Sequence, residues 1–339
     1  MKAVGYQTPH PISQQDALRD ITLPDPVATG RDLLVEVKAV SVNPVDTKVR
    51  NSAAPDAGHD HKVLGWDASG IVRAVGPEVT LFQPGDRVWY AGSIARPGTN
   101  SELHLVDERI AGHAPKSLGF AQAAALPLTA ITAWEMLFDR LGAAPGKQGT
   151  GKSLLIIGAA GGVGSILTQL AARLTNLTVI GTASRPETHA WVRELGAHHV
   201  IDHSQPLAEE LRRIGLPAVD LIVSLTQTES HLAQIVEAIA PQGKFGLIDD
   251  PKALDITPFK RKSVSVHWEL MFTRSLFGTD DMQAQHRLLN EVAALVDAGL
   301  LRSTLAEHYG PINASNLQRA HALIESGRSR GKVVLENWE

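Results

Sequence analysis

An apolar run, Leu154–Leu155–Ile156–Ile157, passes directly into Gly158–Ala159–Ala160–Gly161–Gly162–Val163–Gly164, and a helical pattern follows at once. A strand, a glycine turn and a helix N-terminus in that order make a pyrophosphate site, because unpaired backbone N–H groups and the positive helix end face the anion. Gly158, Ala160 and Val163 shape the turn, and the bare backbone at Gly161 and Gly162 would let phosphates approach. Gly164 would let the helix pack closely on the strand. The spacing is GxxGxxG rather than GxGxxG, so its weight comes from context: a strand before, a helix after, and a second strand at Val179. An acidic residue about 20 positions past the glycines usually binds the ribose 2′-hydroxyl of NAD. Counting from Gly164 reaches Ser184, in Thr182–Ala183–Ser184–Arg185–Pro186. Ser184 can donate to a 2′-phosphate and Arg185 can pair with it, so NADPH is favoured over NADH.

Other chemistries are excluded by what is missing. The 339 residues contain no cysteine, which removes disulfides, thiol nucleophiles, iron–sulfur clusters and thiolate zinc sites together. A net charge of −4 argues against a nucleic-acid partner, which needs a basic surface. No stretch reaches the roughly 20 apolar residues of a membrane span; the richest, Leu154 to Leu174, is interrupted by Ser165, Gln169 and Arg173. The opening MKAVGYQ has no apolar signal core, so a cytoplasmic location is expected. His59–Asp60–His61 could share a metal on a strand, but the stretch reads as a solvated or substrate loop beside Pro55 and Gly58. His198–His199 have no ligand spacing.

Three textures position these residues. Up to about residue 125 the chain carries short β-like runs, Leu33–Val40, Ala68–Val75 and Asp86–Tyr90, separated by turns such as Gln83–Pro84–Gly85. From 126 to 265 strands and helices alternate, which indicates a parallel sheet covered on both faces. The strands are expected at Ser153–Gly158, Thr178–Ala183, His199–Ile201, Val219–Leu225, Lys244–Ile248 and Ser263–His267. The helices are expected at Gly162–Leu174, Pro186–Leu195, Pro206–Ile214 and Ser230–Ala240. From 266 to 339 two helices, His286–Asp297 and Ser315–Ser326, lead to a strand at Lys332–Leu335. That segment is too small for its own core and is expected to rejoin the first. The fold class is α/β, a β-rich domain with an inserted doubly wound parallel-sheet domain.

Several motifs in fixed order give the chain a family. Val42–Asn43–Pro44–Val45–Asp46, Leu64–Gly65–Trp66–Asp67–Ala68–Ser69–Gly70, Gln83–Pro84–Gly85–Asp86–Arg87–Val88, Leu126–Pro127 with Thr132–Ala133–Trp134, the glycine turn and Gly331–Lys332–Val333–Val334 resemble the medium-chain dehydrogenase/reductase superfamily over essentially the whole length. The resemblance is to its quinone oxidoreductase-like branch, in the zinc-type alcohol dehydrogenase-like subgroup. It implies a GroES-like catalytic domain with an inserted Rossmann domain, a cofactor held between the domains, and a homodimer joined around Ser263–His267. The superfamily's catalytic zinc uses a cysteine near Asn43, a histidine where Trp66 stands and a further cysteine. Its structural zinc uses four cysteines in a lobe that would fall near residues 91–101. None is present here, so a metal-free mechanism is expected.

Without a Lewis acid, conjugated acceptors are the easier substrates, since the charge created by hydride addition spreads over an enolate or hydroquinone anion. The resemblance implies that Asn43 donates to the acceptor oxygen or positions the nicotinamide ribose, and that Asp46 orients the loop. Lys48 stands where the branch often has tyrosine, which leaves Lys48, water and the ribose hydroxyl as proton donors. It places Thr132 near the carboxamide and His203 near the adenine, with Leu225, Thr226, Ile248 and Asp249 as further cofactor contacts. Trp66, Trp268, Met271 and Phe272 would line the acceptor pocket or extend a core. The expected activity is NADPH-dependent reduction of a quinone or α,β-unsaturated carbonyl. A zinc-free alcohol or aldehyde reductase and a non-enzymatic NADPH-binding protein are the alternatives.

Overall fold

The structure is a computed structural model and describes residues 1–14, 16–146 and 151–339. The chain divides into two compact units, Met1–Ile131 with Phe272–Glu339, and Thr132–Met271. The boundaries expected at 125 and 265 fall earlier in both places. Two local features move them. The Leu128 N–H is held by Asp67 of the first unit, and the strand Ser265–Trp268 belongs to the sheet of the second.

The second unit contains the parallel strands Ser153–Ile157, Thr178–Thr182, His199–Ile201, Val219–Ser224, Ile239–Leu247 and Ser265–Trp268. Counted along the chain, they lie side by side as 3-2-1-4-5-6, the order of a doubly wound dinucleotide sheet. Helices Gly162–Leu174, Pro186–Glu194, Leu207–Arg213 and Thr228–Ala238 follow the first four strands. The first strand is buried at every position, as a strand covered on both faces must be, which is why it shows no polar alternation. Leu155, Ile157, Ile180, Ile222, Phe245 and Leu247 of the sheet pack with Leu207, Leu211 and Ile235 of the helices. The fifth strand begins at Ile239 rather than at the expected Lys244. Pro241–Gln242–Gly243 reads as a turn in sequence, but pairing continues through an irregular register against Val219 and Leu221, with Gln242 at a φ of 62°.

The first unit is built on the long strand Asp32–Val42, which pairs antiparallel with Ala68–Val75, Leu103–Asp107 and Lys332–Glu336. Its exposure alternates over Asp32–Lys38 and then disappears over Ala39–Val42. A half-exposed strand therefore delivers Asn43 into the interior. The register Val333↔Val42 and Val334↔Ser41 brings the chain's last strand beside the start of helix Pro44–Ser52. Helix Ala284–Asp297 buries Leu288, Val292 and Val296, the stripe its spacing requires.

Candidate functional site

Within the parallel unit, all the expected cofactor residues except Thr132 lie at the carboxyl ends of strands, where open α/β sheets bind ligands. Gly158–Gly164 follow the first strand, Ser184 and Arg185 the second, His203 the third, Leu225 and Thr226 the fourth, Ile248 and Asp249 the fifth. Thr132 is buried in the helix Pro127–Trp134. The glycines have separate jobs. Gly158 adopts a φ of 85°, and a Cβ there would come within 3.1 Å of Thr226 Cγ2 and 3.5 Å of Leu225 Cβ. A Cβ on Gly164 would stand 2.4 Å from the Gly158 oxygen and 2.5 Å from Ala159 Cα, so only glycine lets the helix meet the turn. A Cβ on Gly161 would touch only the Gly158 oxygen, at 3.5 Å. That space is a cradle beside the first turn, with Ala160, Gly162 and Val163 half-buried around it.

The helix starting at Gly162 has no side-chain cap, whereas Asn313 accepts the Asn316 N–H at 2.8 Å at the start of helix Ala314–Glu325. The first turn behind the glycines therefore fits an anion as its acceptor. Ser184 is exposed. Arg185 Nε lies 3.3 Å from a carboxylate oxygen of Glu187, a residue that the count ending at Ser184 passes over. Asp249 has both oxygens engaged by one residue: it accepts the Thr228 N–H at 2.8 Å and the Thr228 hydroxyl at 2.5 Å. It therefore caps helix Thr228–Ala238. His203 meets His231 edge to face with ring centroids 6.3 Å apart. Burial and the neighbouring His203 hold His231 below the ordinary imidazole range. Leu225 and Ile248 are half-buried and Thr226 is exposed. Met271 is buried, and Trp268 is 53% exposed.

The first unit holds a different kind of cluster. Asp67, fully buried, accepts the Ser41 hydroxyl at 2.9 Å, the Asn43 side-chain N–H at 2.8 Å, the Lys332 ammonium at 3.0 Å and the Leu128 N–H at 2.8 Å. Lys332 also donates to the Val42 carbonyl at 3.1 Å and to the Asn43 side-chain oxygen. An ammonium only donates and a carboxylate only accepts, so the Asn43 amide has one orientation. Asn43 is 1% exposed and engaged within the cluster at both ends of its amide. Its backbone N–H donates to Asp46 Oδ2 at 2.6 Å, a capping bond at the start of helix Pro44–Ser52. Asp46, Thr47 and Arg50 form the buried face of that helix, and Lys48 is exposed on the opposite face.

Burial raises the Asp46 carboxyl to about 7. The Asn43 N–H and Lys332 pull it down and Asp67 pushes it up, but desolvation is the largest cause. Trp66 is 1% exposed, donates its indole N–H to the Ser93 carbonyl at 3.1 Å and meets Phe272 edge-on at 6.2 Å. Sequence reading used Lys332 only as part of a motif, and gave Ser41, Thr228, His231 and Glu187 no role. Lys332 carried a signal, a lysine inside the otherwise apolar run Lys332–Leu335.

A dinucleotide fits the first set of residues, as the cradle at Gly161 and the uncapped helix show. Zinc does not fit the second. Asn43 and Trp66 stand where the ligands would be, the indole offers no lone pair for a metal, and the Asp67 carboxylate is taken up by four donors. Among the described residues no group of three or more His, Asp or Glu side chains could hold a metal ion. His59 and Asp60 are exposed and His61 half-exposed.

A β-rich unit interrupted by a doubly wound dinucleotide sheet is the plan of the medium-chain dehydrogenases and reductases. The alcohol dehydrogenase GroES-like domain family matches residues 29–133, and the zinc-binding dehydrogenase family matches residues 195–335. A zinc-type alcohol dehydrogenase-like protein of Staphylococcus aureus (strain Mu50) is 38% identical over 338 residues, 99% of each chain. The crystal structure of a candidate zinc-dependent alcohol dehydrogenase from Rhizobium etli CFN 42 is 62% identical, covers 100% of this chain and 98% of that one, and superposes with a TM-score of 0.96. A quinone oxidoreductase of Pseudomonas syringae pv. tomato DC3000 is 26% identical over 99% of both chains, with a TM-score of 0.82. The chain belongs to the medium-chain dehydrogenase/reductase superfamily, among its zinc-type alcohol dehydrogenase-like proteins, and is an oxidoreductase of that group. Among the described residues no helix is long and apolar enough to cross a membrane.

Proposed function

We propose that this protein is a zinc-independent, NADPH-dependent reductase of quinones or α,β-unsaturated carbonyls. The observation that carries the reading is the closed set at Asn43, Trp66 and Asp67. A site that offers a metal no donors has to create charge on an acceptor that can spread it, and conjugated acceptors do so while simple carbonyls need a Lewis acid. The likeness to a quinone oxidoreductase supports the same acceptor class. NADPH, when bound, supplies the hydride. The chain's own part is to bind and orient: the first turn behind Gly161 receives the pyrophosphate, and Ser184 with Arg185 receives the 2′-phosphate. Arg185 must exchange Glu187 for that phosphate. An exposed ion pair is worth about 0–1 kcal/mol, and a doubly charged phosphate with three acceptor oxygens outcompetes it.

The reading includes a cytoplasmic homodimer. Strand Ser265–Trp268 ends its sheet, paired on one side only among the described residues, beside the exposed Trp268 and Leu270. Light scattering should give twice the chain mass, and a monomer would remove this part.

The test is NADPH oxidation with a benzoquinone, a naphthoquinone, a 2-alkenal and a saturated aldehyde, each with and without chelator. Turnover confined to the conjugated acceptors and indifferent to chelator is expected. Chelator-sensitive turnover of the saturated aldehyde would sink the zinc-free assignment, and tight NADPH binding without any turnover would favour a binding protein.

A further inference from the structure

The cluster in the first unit contains two buried carboxyl groups and one buried cation. Asp46 and Asp67 are 1% and 0% exposed, and Lys332 is 3% exposed. The ammonium is committed to Asp67, which it contacts at 3.0 Å, together with the Val42 carbonyl and the Asn43 side chain. Asp46 is left with one charge-assisted bond, the Asn43 N–H on Oδ2, and its Oδ1 is buried with no hydrogen-bond partner. The Gly65 N–H faces it only weakly.

The charged groups facing Asp46 are therefore Lys332 from the last strand and Asp67 from the segment before strand Ala68–Val75. One turn along its own helix, Arg50 turns instead to Glu325 of helix Ala314–Glu325. The Asn43 segment is thus gripped twice. Its side chain is fixed by the Lys332 ammonium, and its backbone by a carboxyl whose charge depends on pH.

We propose that Lys332 and Asp46 are positioning residues for the Asn43 segment, Lys332 holding its side chain and Asp46 holding its backbone fully only while ionised. A charged acceptor makes a hydrogen bond roughly twice as strong as a neutral one, so protonating Asp46 loosens the start of helix Pro44–Ser52. The Asp46 carboxyl is raised to about 7, which puts this change inside the neutral range. The part of the proposal that concerns turnover rests on the reductase reading above, and the part that concerns the proton does not.

Three measurements on the full chain test it. Infrared titration of the unliganded protein should show a protonated-carboxyl C=O stretch that disappears as pH rises through about 7 and is absent in Asp46→Asn. The folded state holds this proton more tightly than the unfolded chain, whose carboxyl titrates near the ordinary aspartate value of 3.8. Between those values the wild type should lose stability with rising pH, by up to about tenfold in the unfolding constant per pH unit, and Asp46→Asn should lack that component. In turnover with 1,4-benzoquinone, kcat/KM should fall several-fold as pH drops through the same range. Asp46→Asn keeps an uncharged acceptor for the Asn43 N–H and should show a flat profile.

Lys332→Arg should preserve the transition and Lys332→Met should move it to higher pH. Should Lys332→Met fail to fold, the arginine variant and the infrared band still decide. A band unchanged in Asp46→Asn, or a kinetic transition surviving in that variant, would overturn the proposal. The expected band and stability component with no turnover of any acceptor would support the charge arrangement and overturn the reductase reading instead.

Discussion

The carboxyl edge of the parallel sheet and the buried cluster around Asp67 solve opposite problems. At the first, backbone makes the site: Gly158, Gly161 and Gly164 act by what they lack, and the proposed partner is an anion from outside. At the second, four side chains from three distant places, Ser41 with Asn43, Asp67 and Lys332, satisfy one another and leave no donor for an outside metal. A backbone site tolerates changes that keep its space open. A closed side-chain network tolerates almost none, because every group removed strands another one in low dielectric.

That contrast can be broken most sharply at Lys332. Lys332→Met leaves the Asp67 charge buried without its cation, and removing one partner of such a pair typically costs about 3–5 kcal/mol. Urea unfolding at pH 8 should show a loss of that size, and a loss below about 1 kcal/mol would mean that the Lys332–Asp67 pair does not hold the cluster together.

Next come the glycines, which separate folding from binding. Gly164→Ala places a Cβ 2.4 Å from the Gly158 oxygen, an overpacking of backbone on backbone that should cost roughly 1–3 kcal/mol. Gly161→Ala meets nothing closer than 3.5 Å, so stability should stay within about 0.5 kcal/mol while NADPH affinity drops. If both variants lost stability equally, the cradle at Gly161 would not be open space.

The effects that separate the two cofactors lie at the 2′-phosphate end. Ser184→Ala with Arg185→Ala should remove a charge-assisted contact worth about 1.5–3 kcal/mol, or roughly 10- to 150-fold in NADPH affinity, and leave NADH unaffected. Glu187→Ala frees Arg185 from an exposed pair and should tighten NADPH by a few-fold at most. Calorimetry with both cofactors checks the pair of variants, and equal losses for NADPH and NADH would refute the phosphate assignment.

The two regions also differ in how much the residues announce. The glycine turn, its strand and its helix lie within Leu154–Leu174, and hydrogen bonding there is local, so the expected helix Gly162–Leu174 has the observed bounds. The fifth strand's start was hidden because Pro241–Gln242–Gly243 carry turn chemistry that pairing with the fourth strand overrides. The capping of Thr228 by Asp249 was hidden because it depends on two strand ends lying side by side. Glu187 was missed for a simpler reason: the motif looks for an acid at one position and ignores the first turn of the following helix.

Local order and composition, then, determined the doubly wound sheet, the glycine turn before helix Gly162–Leu174, the absence of every thiolate ligand and the superfamily. Those properties depend on neighbours in the chain, on periodicity and on residue type, all of which are present in one dimension. Tertiary structure alone decided that Asn43 faces Lys332 and Asp67, that Trp66 is locked to Ser93, and that Asp46 is a second carboxyl without a second cation. The first and last of those facts need residue 332 to lie beside residue 43, a proximity created by the antiparallel register of the last strand on Asp32–Val42. The energy of a buried charge is set by such neighbours rather than by the residue that carries it.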